Sequence, residues 1–366
     1  YNSTYSKTER TFWKGRYQKG IDMNKDAKEG NLMYKFQKIT YTYRIYLLLI
    51  TLILFAILPF VFSNQYFLTI IIKIGVYVCL AMGLNILTGY TGLVSLGHAG
   101  FVAIGAYASS ILVVRHGFNF FAASLVGMIV AGVIGMILGL PSLRVSGTYL
   151  SIITLGFGEI IKMTAMNFTA LTNGTLGIKN IPKPGIFGFT LNVTNYGLYY
   201  MMLITVILIS LFCYLLVKSK TGRALQAIKT DELAATMMGI NINYYKIIAF
   251  VVSAMICAFG GSLYSVLIGY IDPNTFNFDV STLILSIVIL GGMGTLRGMF
   301  VGAIILIAFP EVSRFLMEYR FVLYGIILVL MMRFRPQGIL GYKSALPYAL
   351  SKSVKERVDK LEGNVL

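Results

Sequence analysis

Apolar runs of membrane-spanning length follow one another from residue 45 to residue 332, separated by short polar stretches. Judged against the roughly 20 residues that cross a bilayer as a helix, the candidate spans are 45–62, 67–87, 93–114, 118–140, 149–168, 196–217, 247–271, a short 280–290, 299–316 and a short 321–332. The pattern predicts an all-α polytopic membrane protein with about ten transmembrane helices. A polar tail precedes them at 1–44, the membrane domain covers 45–342, and a second polar tail follows at 343–366.

Charge orients this arrangement. With the N-terminus inside and the spans alternating, the Arg144 loop, the segment 218–246, the turn at Arg297 and the basic tail after Arg333 all fall on the cytoplasmic side. The stretch 272–279, which has acidic residues and no Lys or Arg, falls outside. Retention of basic residues inside is the usual orienting signal, so both termini are expected in the cytoplasm. The tail 1–44 carries ten Lys or Arg against four Asp or Glu and has no apolar core of the kind a secretory signal needs. Loop 169–195 is placed outside although it holds Lys179 and Lys183, and its Gly and Pro content predicts an ordered external cap.

Between the sixth and seventh spans lies GRALQAIKTDELAATMMGI, residues 222–240, a polar segment with the grammar of two short helices. Ala224, Leu225 and Ile228 share one face by helical spacing. Thr230 can cap the second helix, Asp231 and Glu232 lie in its first turn where the dipole favours anions, and Gly239 can close it. Leu233, Ala234, Met237 and Met238 make an apolar stripe too short to span a bilayer. Such a segment either lies on the membrane surface or gives a protein partner something to grip.

Two glycine-rich runs interrupt the apolar pattern: TGYTGLVSLGHAGFVAIG at 88–105 and GGMGTLRGMFVG at 291–302. Breaks in corresponding places of two halves point to a midplane pathway and a possible inverted five-helix repeat. Close packing of helices through small residues is the plainer alternative. Tyr90, Ser95 and His98 of the first run, with Glu159, are the candidate pathway residues. Glu159 is the only acidic group well inside a span before the C-terminal region, and Lys162 is placed to pair with it one turn on. Lys73 and Lys162 can snorkel to the outer surface, and Glu311 can pair with Arg314.

Composition agrees with membrane residence and excludes other classes. The chain of 366 residues is 57% hydrophobic and 12% charged with a mean hydropathy of +0.76, against about 25% charged residues in soluble domains. The net charge of +17 is concentrated in the cytoplasmic stretches, so it does not describe a nucleic-acid groove. Cys79, Cys213 and Cys257 all lie in apolar spans, and with His98 and His116 as the only histidines no metal cluster can be written. No cofactor and no catalytic constellation are expected. The sequence has no G-x-x-x-x-G-K-[ST] phosphate loop, so ATP hydrolysis, if it drives transport, belongs to another polypeptide.

Five blocks together resemble one known family. They are GLNILTGYTGLVSLGHAGFVAIGAY at 83–107, GLPSLRVSGTYLSIITLGFGEI at 139–160, GRALQAIKTDELAATMMGININYYKIIAF at 222–250, ILGGMGTLRGMFVGA at 289–303 and FRPQGILG at 334–341. The chain is similar over about 45–342 to the M-type inner-membrane permease of ABC importers for branched-chain amino acids. The resemblance implies an ABC-importer permease fold and an assembly with a second permease subunit, two cytoplasmic ATP-binding subunits and an extracytoplasmic solute-binding protein that delivers leucine, isoleucine or valine. It also implies that the polar segment docks on the ATPase through Gly222, Arg223, Ala227, Asp231, Glu232, Ala234, Ala235, Gly239 and Asn241. Importers commonly carry E-A-A-x-x-x-G there; aligned on Gly239, this chain has Leu233, Ala234 and Ala235 in the first three places, with Glu232 one residue early. Urea or another small amide or amino acid is the alternative cargo. A proton-coupled transporter using Glu159 is the alternative class.

Overall fold

The computed structural model describes residues 64–143, 145, 147–186 and 189–312, with short pieces at 55–59, 322, 325–326, 329–330, 333–335 and 337–341. The spans lie in the unit Ser63–Leu366; of the unit Tyr1–Phe62 only a helical piece at 55–59 is described. Most of the expected spans 45–62 and 321–332 and both polar tails therefore fall outside the described residues, as does Arg314.

Among the described residues seven helices are long and apolar enough to cross a membrane. Asn64 starts the first by accepting the Tyr66 N–H on its side chain, and helix α1 (Gln65–Leu84) continues through a π-turn at Asn85–Gly89. Helices α2 (His98–His116), α3 (Phe120–Ser142), α4 (Thr148–Asn167) and α5 (Gly197–Lys218) follow. Two short helices, α6 (Lys220–Thr230) and α7 (Glu232–Met237), then lead into the long α8 (Ile242–Ile268). Helix α9 (Phe278–Gly291) and α10 (Leu296–Ala303) follow, α10 running on through a second π-turn at Ile304–Ala308 into a last helical turn at Phe309–Val312. The described part is all-α apart from one hairpin, β1 (Gly185–Ile186) and β2 (Phe189–Thr190).

Helix α8 is the centre of the bundle, packed against α3, α2 and α1. It can be central because its inward positions are small: Ser253, Ala254, Cys257, Ala258, Gly260, Gly261 and Ser262 are all buried. In lipid, where the hydrophobic effect does not drive helices together, close backbone approach supplies the packing energy. That approach is tight here. A Cβ added to Gly105 of α2 would lie 1.9 Å from the Ala258 carbonyl oxygen, and one on Gly261 would lie 2.1 Å from that of Val102. Ser262 Oγ also donates across the same crossing to the Gly105 carbonyl at 3.0 Å. The opposite character marks α3, whose Leu125, Ile129, Val133, Met136 and Leu140 repeat at helical spacing and stay exposed, as a lipid-facing stripe requires.

The described part of loop 169–195 packs against the loop that follows α8. Ile178 and Ile271 exchange backbone hydrogen bonds of 2.9 and 3.1 Å, and the Ile181 N–H donates to Gly269 at 3.1 Å. Lys183, the basic residue that sat awkwardly in an external loop, donates its ammonium to the Val266 and Leu267 carbonyls in the last turn of α8. A cation there meets the negative end of the helix dipole, while partial burial lowers its pKa.

Several local expectations are corrected. The first interruption is not the whole run 88–105: the helix persists through Gly89, and only the stretch between Thr91 and His98 is unwound. The second shrinks likewise to the four residues between Gly291 and Leu296. Glycines therefore serve both purposes weighed from the sequence. Gly92, Gly292 and Gly294 have positive φ and turn the chain, whereas Gly105, Gly298 and Gly302 are helical and admit neighbouring backbone. Lys73 has a protein partner as well: its Nζ lies 2.8 Å from Glu311 Oε1. Glu311 thus has a partner 238 positions away; Arg314, its expected partner, lies outside the described residues.

Candidate functional site: the coupling segment and the glycine junction

Helix α6 begins where Ser219 accepts the Gly222 N–H on its side chain, and a Cβ at Gly222 would lie 2.2 Å from the Val217 carbonyl, so the turn from α5 needs glycine. Arg223 donates to the Lys218 carbonyl at 2.9 Å, holding the same turn. Ala224, Leu225 and Ile228 are buried, as the spacing predicts, and seat α6 on α8. Ala227 is partly buried beside them.

The second helix is capped by Asp231 rather than Thr230. Asp231 has extended backbone and accepts the Ala234 N–H at 3.0 Å, while Thr230 ends α6 and bonds back to the Gln226 carbonyl. Gly239, at φ +80°, closes α7: its N–H reaches Thr236, and the Ile240 N–H reaches Ala235. These two bonds are those of a Schellman motif. Asn241 then caps α8 by accepting the Tyr244 N–H at 3.2 Å. Glu232 lies 2.8 Å from Lys246 Nζ, and Lys246 is buried near the start of α8. The ion pair ties α7 to α8.

Held at both ends, α7 turns its apolar stripe away from the chain. Only Ala235 is buried; Leu233, Met237 and Met238 are 70%, 79% and 83% exposed. Removing the Asp231 cap tests how far the geometry depends on it. Asp231→Ala is expected to cost about 1 kcal/mol locally, read as faster amide exchange at 232–238 with the spans unchanged.

Between α6 and the bundle lies a junction that the sequence did not reveal. Buried Asn85, in the π-turn, accepts the Gly294 N–H at 2.8 Å and donates to the Thr295 carbonyl at 3.3 Å, joining the two interrupted segments. Lys229 Nζ donates to the Gly89 carbonyl at 2.6 Å, although much of the residue is exposed. Burial of the ammonium lowers its pKa. The available signal was position: Lys229 is four residues after buried Leu225.

The unwound stretch 92–97 folds back into the bundle, and hydroxyl groups satisfy its backbone. The Leu96 N–H bonds Thr154 Oγ1 at 3.0 Å, the Val94 carbonyl accepts from Ser151 at 3.1 Å, and Thr88 Oγ1 donates to Leu93 at 3.0 Å. This is the condition for irregular backbone at membrane depth. His98 follows, fully buried, with Ser95 Oγ 2.9 Å from Nδ1 and Ser253 Oγ 2.7 Å from Nε2. Ser253 uses its single proton on the Gly83 carbonyl at 2.7 Å. Hence Nε2 carries the hydrogen, Nδ1 accepts from Ser95, and the imidazole ties α2 to α8, whose Ser253 in turn bonds α1. Tyr90 is buried in the same region. Glu159 stands apart on α4, 3.7 Å from Lys162 and partly exposed. Among the described residues no group of His, Cys, Asp or Glu is placed to hold a metal ion.

The chain matches the family described as branched-chain amino acid transport system / permease component over residues 66–332. It is 36% identical over 287 residues to the high-affinity branched-chain amino acid transport system permease protein LivM of Escherichia coli, covering 72% of this chain and 68% of that protein. It is 26% identical to LivH of the same organism, covering 72% and 91%. It is 28% identical over 191 residues to the fructose import permease protein FrcC of Rhizobium meliloti, covering 49% and 52%. No solved structure matches the chain. On the family match, the LivM identity and the bundle of apolar helices, the chain belongs to the permease components of branched-chain amino acid transport systems and is a multi-pass membrane permease subunit.

Proposed function

We propose that this permease forms half of an ATP-driven importer in a bacterial plasma membrane, with both termini in the cytoplasm, translocating leucine, isoleucine or valine handed over by an extracytoplasmic solute-binding protein. The observation that carries this reading is α7, a helix of six residues capped at both ends that presents Leu233, Met237 and Met238 to a partner. Two cytoplasmic ATP-binding subunits supply the hydrolysis, since the chain has no phosphate loop of its own. Movement of an ATPase against α6 and α7, through Gly222, Arg223, Ala227, Asp231, Glu232, Ala234, Ala235, Gly239 and Asn241, rocks two permeases between outward and inward openings. The cap within 169–195, joined by Ile178 to Ile271 just ahead of the 272–279 loop, forms with that loop the surface on which the binding protein lands.

Helix α4 favours a heterodimeric pathway. Of its 20 residues only Leu150, Ser151, Thr154 and Ala165 are buried, yet it carries Glu159 and Lys162. A helix facing lipid would not keep that ion pair on an open side, so we place α4 against the second permease, with Glu159 beside the solute path. Tyr90, Ser95 and His98 brace the wall behind it.

The test is purification of this chain from its native membrane in mild detergent, followed by reconstitution with its partners. A phosphate-loop ATPase and a second permease are expected to co-purify, and leucine, in excess over urea, to compete for the cognate binding protein and enter vesicles only with ATP. Uptake by the purified chain alone, driven by a pH gradient and lost in Glu159→Gln, would favour a proton-coupled carrier.

A further inference from the structure

We propose that Lys229 is the positioning residue that passes movement of the coupling segment to the crossing of the two glycine breaks. The proposal rests on the reading that α6 and α7 meet an ATPase, and adds the path by which that contact reaches the membrane domain. Three segments converge on this ammonium. It donates to the Gly89 carbonyl at 2.6 Å, at the end of the π-turn. Its stem passes Gly92, where an added Cβ would lie 3.5 Å from Lys229 Cγ. Gly294 of the second break is adjacent: a Cβ there would lie 3.1 Å from the Gly89 carbonyl oxygen and 3.9 Å from Nζ.

Mechanically the arrangement is a lever on a hinge. Helix α6 is continuous from Lys220 to Thr230 and carries Lys229 one turn after buried Leu225, so a displacement at α7 would reach Lys229 through it. Gly89 is bound to the second break through Asn85, whose amide holds Gly294 and Thr295 together. The residues that can change direction are next to this clamp: Gly92 at φ +79°, Gly292 at +113° and Gly294 at +87°. Glycine at positive φ reorients without the steric cost any other residue pays. Beyond Gly92 the refolded stretch leads to His98 and α2. Among the described residues Lys229 has no carboxylate within ion-pair distance. Its charge faces carbonyl oxygen at the end of a helix, where a cation is favoured. A methionine would occupy similar space and could not hold that carbonyl.

The experiment uses the full transporter in proteoliposomes, with Lys229→Met and Lys229→Arg beside the unaltered chain. Lys229→Met is expected to keep its ATPase and its basal hydrolysis while uptake per ATP falls by about ten-fold or more, the factor that a hydrogen bond from a charged donor is worth. Lys229→Arg is expected to recover much of the coupling, which a purely structural role would not require. Unchanged uptake per ATP in Lys229→Met overturns the proposal, and so does loss of the ATPase in that variant, which would make Lys229 part of the docking surface. Failure of the unaltered chain to retain any ATPase sinks the importer reading instead. Should Lys229→Met not fold, amide exchange on the unaltered complex decides: protection at 89–97 and 292–295 is expected to change on nucleotide binding. Constant protection there during active uptake rejects the lever.

Discussion

Replacing both Leu233 and Met237 with aspartate is expected to release the ATPase and abolish uptake while leaving the permease folded. Both side chains are more than two-thirds exposed, so their loss removes nothing that holds this chain together. Buried in a partner's groove, each would contribute about 1.5–3 kcal/mol, and interface energy concentrates in a few central side chains of this kind. Losing both therefore weakens association by about a hundred-fold or more, before the cost of pressing two carboxylates into an apolar site. Pull-down from detergent measures the association, and the thermal midpoint of the isolated permease verifies the fold. Full-strength retention of the ATPase by the double variant would remove the main support for α7 as the docking element.

The second large effect is expected at the crossing of α2 and α8. Gly105→Ala and Gly261→Ala each drive a methyl group to about 2 Å from a carbonyl oxygen of the facing helix. Overpacking costs about 1–3 kcal/mol where side chains can yield; here the obstacle is backbone, so a helix must move. The two sites share one crossing, and their effects should not add simply. The measurement is the yield and thermal midpoint of monodisperse protein, with both falling sharply in either single variant. Gly156 on α4 is the control, since nothing lies within 4 Å of a Cβ placed there. Gly156→Ala should leave the isolated permease unaffected, and equal damage at all three positions would mean that close helix approach is not what holds α8 in place.

What the sequence disclosed and what it hid divide along physical lines. The apolar runs located the seven spans found among the described residues, because burial in a bilayer imposes a length that can be read directly. The grammar of 222–240 located both short helices and the closing role of Gly239, because caps and helical spacing are local. It misplaced the cap by one residue: Thr230 and Asp231 are both competent, and only the backbone geometry, extended at Asp231, separates them. The glycine runs could be located but not dissected, since positive φ at Gly92 and close packing at Gly105 leave the same letter in the sequence. Long-range pairs were out of reach. Lys73 with Glu311, Lys229 with Gly89 and His98 with Ser253 are separated by 238, 140 and 155 positions, and periodicity carries no information over such distances.

The polar stitching around His98 also sets a timetable for biogenesis. When α2 leaves the ribosome its imidazole lacks the Ser253 partner, and the Ala99 N–H waits for Ser281, 182 residues later. At the usual pace of synthesis that interval lasts about 10–40 s, during which unpaired polar groups would be costly in hydrocarbon. The polar contacts of the first half are thus completed only by the second. A chain truncated before Ser281 is therefore expected to keep its first spans but to leave the Ala99 N–H without this partner, read as a lower thermal midpoint than that of the full permease.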